Sequence, residues 1–346
     1  MNPMMLSLLI MSLSTGTIIT MASHHWLLAW LGLEINTLAM IPLIAKPHHP
    51  RATEAATKYF LIQAIAAALI LFSSIINAWH TGHWTIMNTS SPIATTTLTI
   101  ALAMKLGLAP THLWYPEVIQ GSMMTTAMVL STWQKLAPLA LMYMTMQQLS
   151  PTVMLTIGLL SALVGGWSGL NQTQLRKIMA FSSIAHMGWL LTAMTLSHHL
   201  TTLTLTTYMI MTTALFTMLS NTLIKTLTDL GTTWTKTPVV LSMTMLAVMS
   251  LGGLPPLSGF MPKWLIAKEL VTNTLLPIAT TLILASLPSL FFYLRLAYFT
   301  TLTTPPNNTN NKLSWRLKTT MSTLLAPTFT MTMLLLPMTP LMYPTL

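Results

Sequence analysis

Apolar runs long enough to cross a bilayer follow one another along almost the whole chain, and that succession limits the fold more than any motif does. A hydrocarbon core of about 30 Å takes roughly 20 helical residues. In lipid, every backbone N–H and C=O must be satisfied within the segment, so spanning segments are helices or closed barrels. Averaging hydrophobicity over about 19 residues gives eleven spans: Pro3–Ala22, His25–Ile44, Ala55–Trp79, Ile93–Gln120, Thr125–Met146, Pro151–Leu170, Gln174–Thr195, Leu200–Ile224, Pro238–Val271, Thr274–Tyr298 and Thr320–Leu341. No alternating strand pattern competes, so the chain reads as an all-α polytopic membrane protein. Only 6% of its residues are charged, against about 25% in soluble domains, which leaves too little polar surface for a water-soluble fold.

The few charges report orientation. Lysines and arginines number 15 and acids 5, for a net charge of +10, yet no basic run alternates with aromatics, so no nucleic-acid partner is implied. Connections and ends on the side that follows the even-numbered spans carry Lys46, Arg51, Lys58, Arg176, Lys177, Lys225, Lys236, Arg295, Lys312, Arg316 and Lys318, and the other side carries Lys268 alone. That bias places the N-terminus on the positive side, cytoplasm or matrix, and the C-terminus opposite. The opening MNPMMLSLLIMS has neither the basic region of a signal peptide nor the arginines of a transit peptide. The first helix is then its own insertion signal, or the chain is made where it works. Absent cysteines exclude disulfides, thiolate-held iron–sulfur clusters and zinc–thiolate sites.

Two spans are too long and are interrupted. In IALAMKLGLAPTHLWYPEV (Ile100–Val118) a glycine and a proline follow Lys105. Proline in a helix removes a backbone bond and clashes with the preceding turn. Pro110–Thr–His–Leu–Trp–Tyr–Pro116 and Pro256–Leu–Ser–Gly–Phe–Met–Pro262 share proline spacing, and both follow Leu/Gly stretches. Five spans separate them, so they cross in opposite directions. Paired broken helices of opposite direction mark an inverted-repeat transporter, with chance likeness of Gly/Pro-rich text as the alternative.

Glu34, Lys105, Lys135 and Lys263 stand inside apolar spans, where a charge costs roughly 2.5–3.5 kcal/mol on insertion scales. Burial disfavours an ammonium and a nearby carboxylate favours it, so a carboxylate moving toward or away from a lysine loads or discharges it with a proton. The alternative is a structural ion pair or a snorkelling amine, which suits Lys263 better than Lys135. His112, at the first break, and His186, in SSIAHMGW, are relay candidates or buried hydrogen-bonded histidines. His80, His83 and the pairs His24–His25, His48–His49 and His198–His199 lie at span ends and read as interfacial rather than metal-binding, as do Trp26, Trp79, Trp84 and Trp234. Glu117 is a solvated end charge or a relay exit, and Glu54 and Asp229 are loop charges. No phosphate loop, no Ser/His/Asp set and no copper pattern among the 30 methionines competes.

Gln172–Trp189, Lys105–Val118 and Leu251–Trp264 together resemble the subunit 2 family of mitochondrial NADH:ubiquinone oxidoreductase, complex I, in its animal, mammalian-like, eleven-span form. The resemblance covers essentially the whole chain. It implies two inverted-topology five-helix repeats, 1–147 and 148–300, each with one broken helix, then a polar linker, 301–319, and a C-terminal helix, 320–346. It puts a proton relay on Glu34, Lys105, Lys135 and Lys263, with redox chemistry in other subunits. No cofactor is then bound by this chain, while the complex uses NADH, FMN, iron–sulfur clusters and ubiquinone. Implied partners are other complex I subunits, especially neighbouring antiporter-like and small membrane subunits, and lipid such as cardiolipin. The implied location is the inner mitochondrial membrane, and manufacture inside the organelle would account for the absent presequence. A stand-alone cation/proton antiporter and a purely structural assembly subunit are the alternatives.

Overall fold

The computed structural model describes residues 2–222, 224–234, 237–302 and 323–342. The expected linker stretch Thr303–Lys312, the cations Lys236, Arg316 and Lys318, and the start of the last expected span lie outside them. The chain divides into two compact units, Met1–Ser161 and Ala162–Leu346. The described residues are helical throughout, with only isolated bridges, His25–Thr85 and Gln174–Thr226, in place of strands.

The first unit contains α1 (Pro3–Ala22), α2 (Trp26–Ala45), α3 (Pro50–Thr81), α4 (Pro92–Leu106), α5 (Trp114–Gly121), α6 (Met124–Ser131) and α7 (Trp133–Met144). Helix α8 (Pro151–Ser168) runs across the division. The second unit continues with α9 (Leu175–Leu196), α10 (His198–Thr222), α11 (Leu227–Thr233), α12 (Pro238–Gly252), α13 (Phe260–Thr272), α14 (Leu276–Leu302) and α15 (Leu325–Met342). Among the described residues, α1, α2, α3, α8, α9, α10 and α14 are long and apolar enough to cross a membrane. The two over-long spans are each divided as their glycines and prolines require, into α4 and α5 and into α12 and α13.

The start signals are local. Prolines open α1, α3, α4 and α12, where the missing N–H is one the helix could not have used. Ser91 Oγ accepts from Ala94 N–H ahead of α4, and His49 Nδ1 from Arg51 N–H ahead of α3. The many threonines sit in apolar spans because their hydroxyls donate back to carbonyls one turn earlier. Thr20 to Thr17 O, Thr99 to Thr96 O and Thr244 to Leu241 O, each at 2.7 Å, are typical. Such back-bonding pairs these threonine hydroxyls within their own helices.

Helices α1 and α2 cross at glycines. A Cβ on Gly32 would lie 2.8 Å from Gly16 O and 3.0 Å from Thr20 N, both backbone atoms. Small residues let backbones approach where lipid supplies no hydrophobic drive. The far side of α1 shows Met4, Met5, Leu8, Met11 and Ile18, an exposed apolar surface. In the second unit, Ala162, Trp189, Ala193, Leu200, Ile266, Leu270, Ala279, Leu282 and Ala285 form one buried cluster, and α9 is the most enclosed span.

Two sequence expectations need correction here. Trp26 is 1% exposed and is not an interfacial residue, whereas Trp79 is 88% exposed. The Trp26 backbone N–H donates to Trp84 O at 3.1 Å, which ties the start of α2 to the loop that follows α3. Asp229 is a helix cap rather than a loop charge. It closes a capping box with Thr226 at the start of α11 and accepts from Thr226 N–H at 2.9 Å and Lys225 N–H at 3.2 Å.

Replacing Gly32 by Val should force α1 and α2 apart and lower stability in mild detergent by about 1–3 kcal/mol, the usual cost of overpacking, read from thermal unfolding. Hydrogen bonds from Thr226 hold the Asp229 carboxyl below its usual range. Its capping contribution is therefore complete above the ordinary aspartate value of about 3.9 and is lost as pH falls through the lower folded-state value. Asp229→Asn should speed amide exchange in α11 at neutral pH and remove that acid dependence.

Candidate functional site

The first unit builds a polar pocket where α4 stops. Lys105 lies in the last turn of α4, and Gly107 caps that helix in the left-handed region, φ +72°, a conformation that disfavours side chains. Its N–H reaches Ala103 O and Met104 O, and Leu108 N–H reaches Ala103 O at 3.0 Å. A helix end leaves its final carbonyls without intrahelical donors. Gln63, buried on α3, reaches one of them, with Nε2 3.5 Å from Lys105 O. The chain resumes as α5 after the turn around Pro110 and Thr111.

Lys135 arrives from α7 through an interruption that the sequence reading did not anticipate. The expected span Thr125–Met146 is divided at Thr132, which has φ −115° and ψ −74°. Pro138 stands inside α7, beyond the division. Its ring cannot donate to Gln134 O and crowds the preceding turn, while Thr132 Oγ1 donates to Met128 O at 2.6 Å. Lys135 therefore stands in the first turn of α7, 3% exposed.

Lys105, 7% exposed, and Lys135 line one cavity with Asn36, Thr37, Tyr59, Gln63, Trp114, Tyr115 and Gln134. It offers about 20 Å³ to water centres, and one ordered water needs roughly 10–15 Å³ on that measure. Gln134 joins its wall through Nε2 to Asn36 O at 3.4 Å and through Tyr59 Oη at 3.5 Å. Among the described residues, Lys105 Nζ, Glu34 Oε2 and both polar atoms of the Asn36 amide are buried without a protein hydrogen-bond partner. Buried polar atoms of this kind are ordinarily satisfied by ordered water. Glu34, half-buried on α2, acts electrostatically on both Lys105 and Tyr59.

In the second unit, the stop of α12 is answered directly by a lysine. Gly253 caps α12 at φ +84°. Lys263, in the first turn of α13, reaches back with Nζ 3.1 Å from Gly252 O. A cation beside a helix C-terminus meets the negative end of the helix dipole. Lys263 shares a smaller cavity with His186, Trp189, Ser286, Ser289 and Tyr293, and the His186 ring packs on Tyr208 at 5.9 Å between centroids.

His112 is not gathered into either cavity. It is half-buried in the first break, with Nδ1 3.2 Å from Pro110 O, and serves the turn. Glu117 is exposed and accepts from Lys58 Nζ at 2.6 Å, and Glu54 accepts from the same ammonium at 2.5 Å. Glu54 is thus part of α3 rather than a loop. The expected interfacial histidines His24, His48, His49, His80, His83 and His199 are exposed near helix ends.

Sequence reading ranked charges and overlooked the neutral polar residues that shape the pockets: Asn36, Gln63, Gln134, Tyr59, Tyr115 and Tyr293. The available signal was amides placed mid-span. Gln63 stands in apolar text, and Gln134 stands beside Lys135 in the middle of its span.

The family described as NADH:quinone oxidoreductase/Mrp antiporter, TM matches residues 23–289, and NADH dehydrogenase subunit 2 C-terminus matches 290–343. NADH-ubiquinone oxidoreductase chain 2 of Carassius auratus is 57% identical over 341 residues, covering 98% of each chain. The protein of the same description from Xenopus laevis is 54% identical over 325 residues, 94% of each. A chain of respiratory complex I from Thermus thermophilus with bound aureothin superposes at TM-score 0.84 and 26% identity, over 98% of this chain and 79% of that one. A chain of the Mrp complex from Dietzia sp. DQ12-45-1b shares the fold at TM-score 0.77 and 18% identity, over 86% and 61%.

Gly253→Ala should place a methyl group 3.1 Å from Lys263 Nζ in a left-handed backbone that costs an L-residue roughly 1–2 kcal/mol. A high-resolution map of the variant should show Lys263 displaced from Gly252 O, with thermal stability reduced accordingly.

Proposed function

The chain belongs to the NADH:quinone oxidoreductase/Mrp antiporter membrane family, and on that premise we propose that Glu34, Lys105, Lys135 and Lys263 carry protons within it. It is a membrane subunit of NADH:ubiquinone oxidoreductase, respiratory complex I, and takes part in proton translocation coupled to electron transfer from NADH to ubiquinone. Other complex I subunits are its partners, and the redox centres are theirs.

The observation that carries the relay reading is the first unit's pocket. Two buried lysines line one water-sized cavity, and a carboxylate on α2 acts on one of them. Stability is a weak reason to keep such groups, because apolar replacements of buried ion pairs are often neutral or stabilising. Moving one proton against about 100 mV takes about 2.3 kcal/mol. A tenfold change in a protonation equilibrium is about 1.36 kcal/mol, so a modest change in carboxylate–ammonium pairing is large enough. His186, beside Lys263, extends the relay in the second unit. His112, engaged with its own turn, is a weaker member.

The finer architecture belongs to the same proposal. The chain crosses the inner mitochondrial membrane eleven times, as two inverted five-helix repeats, 1–147 and 148–300, and a last helix. Its N-terminus faces the matrix and its C-terminus the intermembrane space. Neighbouring antiporter-like and small subunits, with lipid such as cardiolipin, cover its apolar flanks, and the chain binds no cofactor of its own.

Lys105→Ala in the assembled complex should lower protons translocated per electron at least twofold while ubiquinone reduction continues. Parallel measurement of NADH oxidation and proton uptake in sealed vesicles reads both quantities. Wild-type proton yield from an assembled Lys105→Ala complex removes Lys105 from the relay.

A further inference from the structure

Lys135 is held by a ring that comes from the other side of the helix break. Its Nζ lies 5.0 Å from the centroid of Tyr115, which is 2% exposed on the first turn of α5. The face of an aromatic ring carries negative charge density and attracts an ammonium far more than a neutral amine. The ring itself has little freedom. A Cβ built on Gly107 would stand 3.1 Å from Tyr115 Cβ and 3.3 Å from Cγ, so the tyrosine is pressed onto the backbone that ends α4. Trp114 meets it edge-on at 5.5 Å, and Tyr59 of α3 backs Trp114 at 5.8 Å. A side chain at position 107 would require Tyr115 to give by a few tenths of an ångström.

We propose that Tyr115 is a positioning residue for Lys135: wedged against the Gly107 break, its ring face fixes the ammonium of α7 at the cavity that Lys105 also lines. The proposal rests on the relay reading above and adds to it a dependence of Lys135 on the geometry of the α4–α5 break. A shift of α5 relative to α4 moves the ring, and with it the seat that favours a charged Lys135. The break thereby acts on a lysine that stands on neither of its two half-helices.

The test is a double-mutant cycle in the assembled complex, with protons per electron as the readout. The variants are Tyr115→Leu, Tyr115→Phe, Lys135→Met and Tyr115→Leu with Lys135→Met. Tyr115→Leu should lower the yield at least twofold, and Tyr115→Phe, which keeps the ring, should restore most of it. The double variant should match Lys135→Met alone, because residues that act through one another are not additive. Should Tyr115→Leu prevent assembly, Tyr115→Met serves as the ringless variant, read in the same way. Wild-type yield from the ringless variant overturns the proposal. So does a Phe variant as impaired as the ringless one, or a double variant clearly worse than Lys135→Met, as a purely structural tyrosine would give. Wild-type yield from Lys135→Met itself overturns the relay assignment of Lys135 and the present inference together, and is told apart by that single arm.

Discussion

A backbone carbonyl left without a donor inside oil must find one, and the two pockets of this protein are organised by that requirement. Helices α4 and α12 both stop within apolar segments, and each stop frees carbonyls that lipid cannot serve. The first unit answers with the Gly107 cap and the Gln63 amide, and the second with the Gly253 cap and the Lys263 ammonium. Polar groups recruited for the backbone then create the surroundings in which further ionisable groups can be kept.

The two units solve the problem with different parts. In the first, Lys105 precedes the break and a second lysine comes from a kinked neighbour, so the pocket is crowded with amides and aromatic rings. In the second, the lysine follows the break and bonds the freed carbonyl itself, beside a histidine and two serines. An ammonium that donates to a helix-end carbonyl is tied to the position of that end. One that rests on an aromatic face is tied to the element carrying the ring. The same chemistry, a buried amine, is thus coupled to the backbone in two ways.

The surface contact of Lys58 with Glu54 and Glu117 belongs to the same scheme at lower stakes. It joins α3 to the first turn of α5, but it is solvent-exposed, and exposed pairs contribute about 0–1 kcal/mol. The closure of α5 over the pocket therefore rests on the buried rings Tyr59, Trp114 and Tyr115 and on their contact with Gly107, not on this charge cluster.

The run of apolar segments, the scarcity of charge and the Gly/Pro punctuation were enough to read an all-helical membrane chain and the two broken segments, because lipid leaves the backbone so few alternatives. The charged candidates were legible for the same reason, since Glu34, Lys105, Lys135 and Lys263 stand out against apolar text. What the text did not carry was company. The burial of Trp26, the gathering of Asn36, Gln63 and Gln134 at one pocket, and the Tyr115 ring beneath Lys135 each depend on contacts between different helices. Hydropathy records how deep a residue lies in the bilayer, whereas its neighbours are fixed by which helix faces pack together, and that is a property of the assembled bundle.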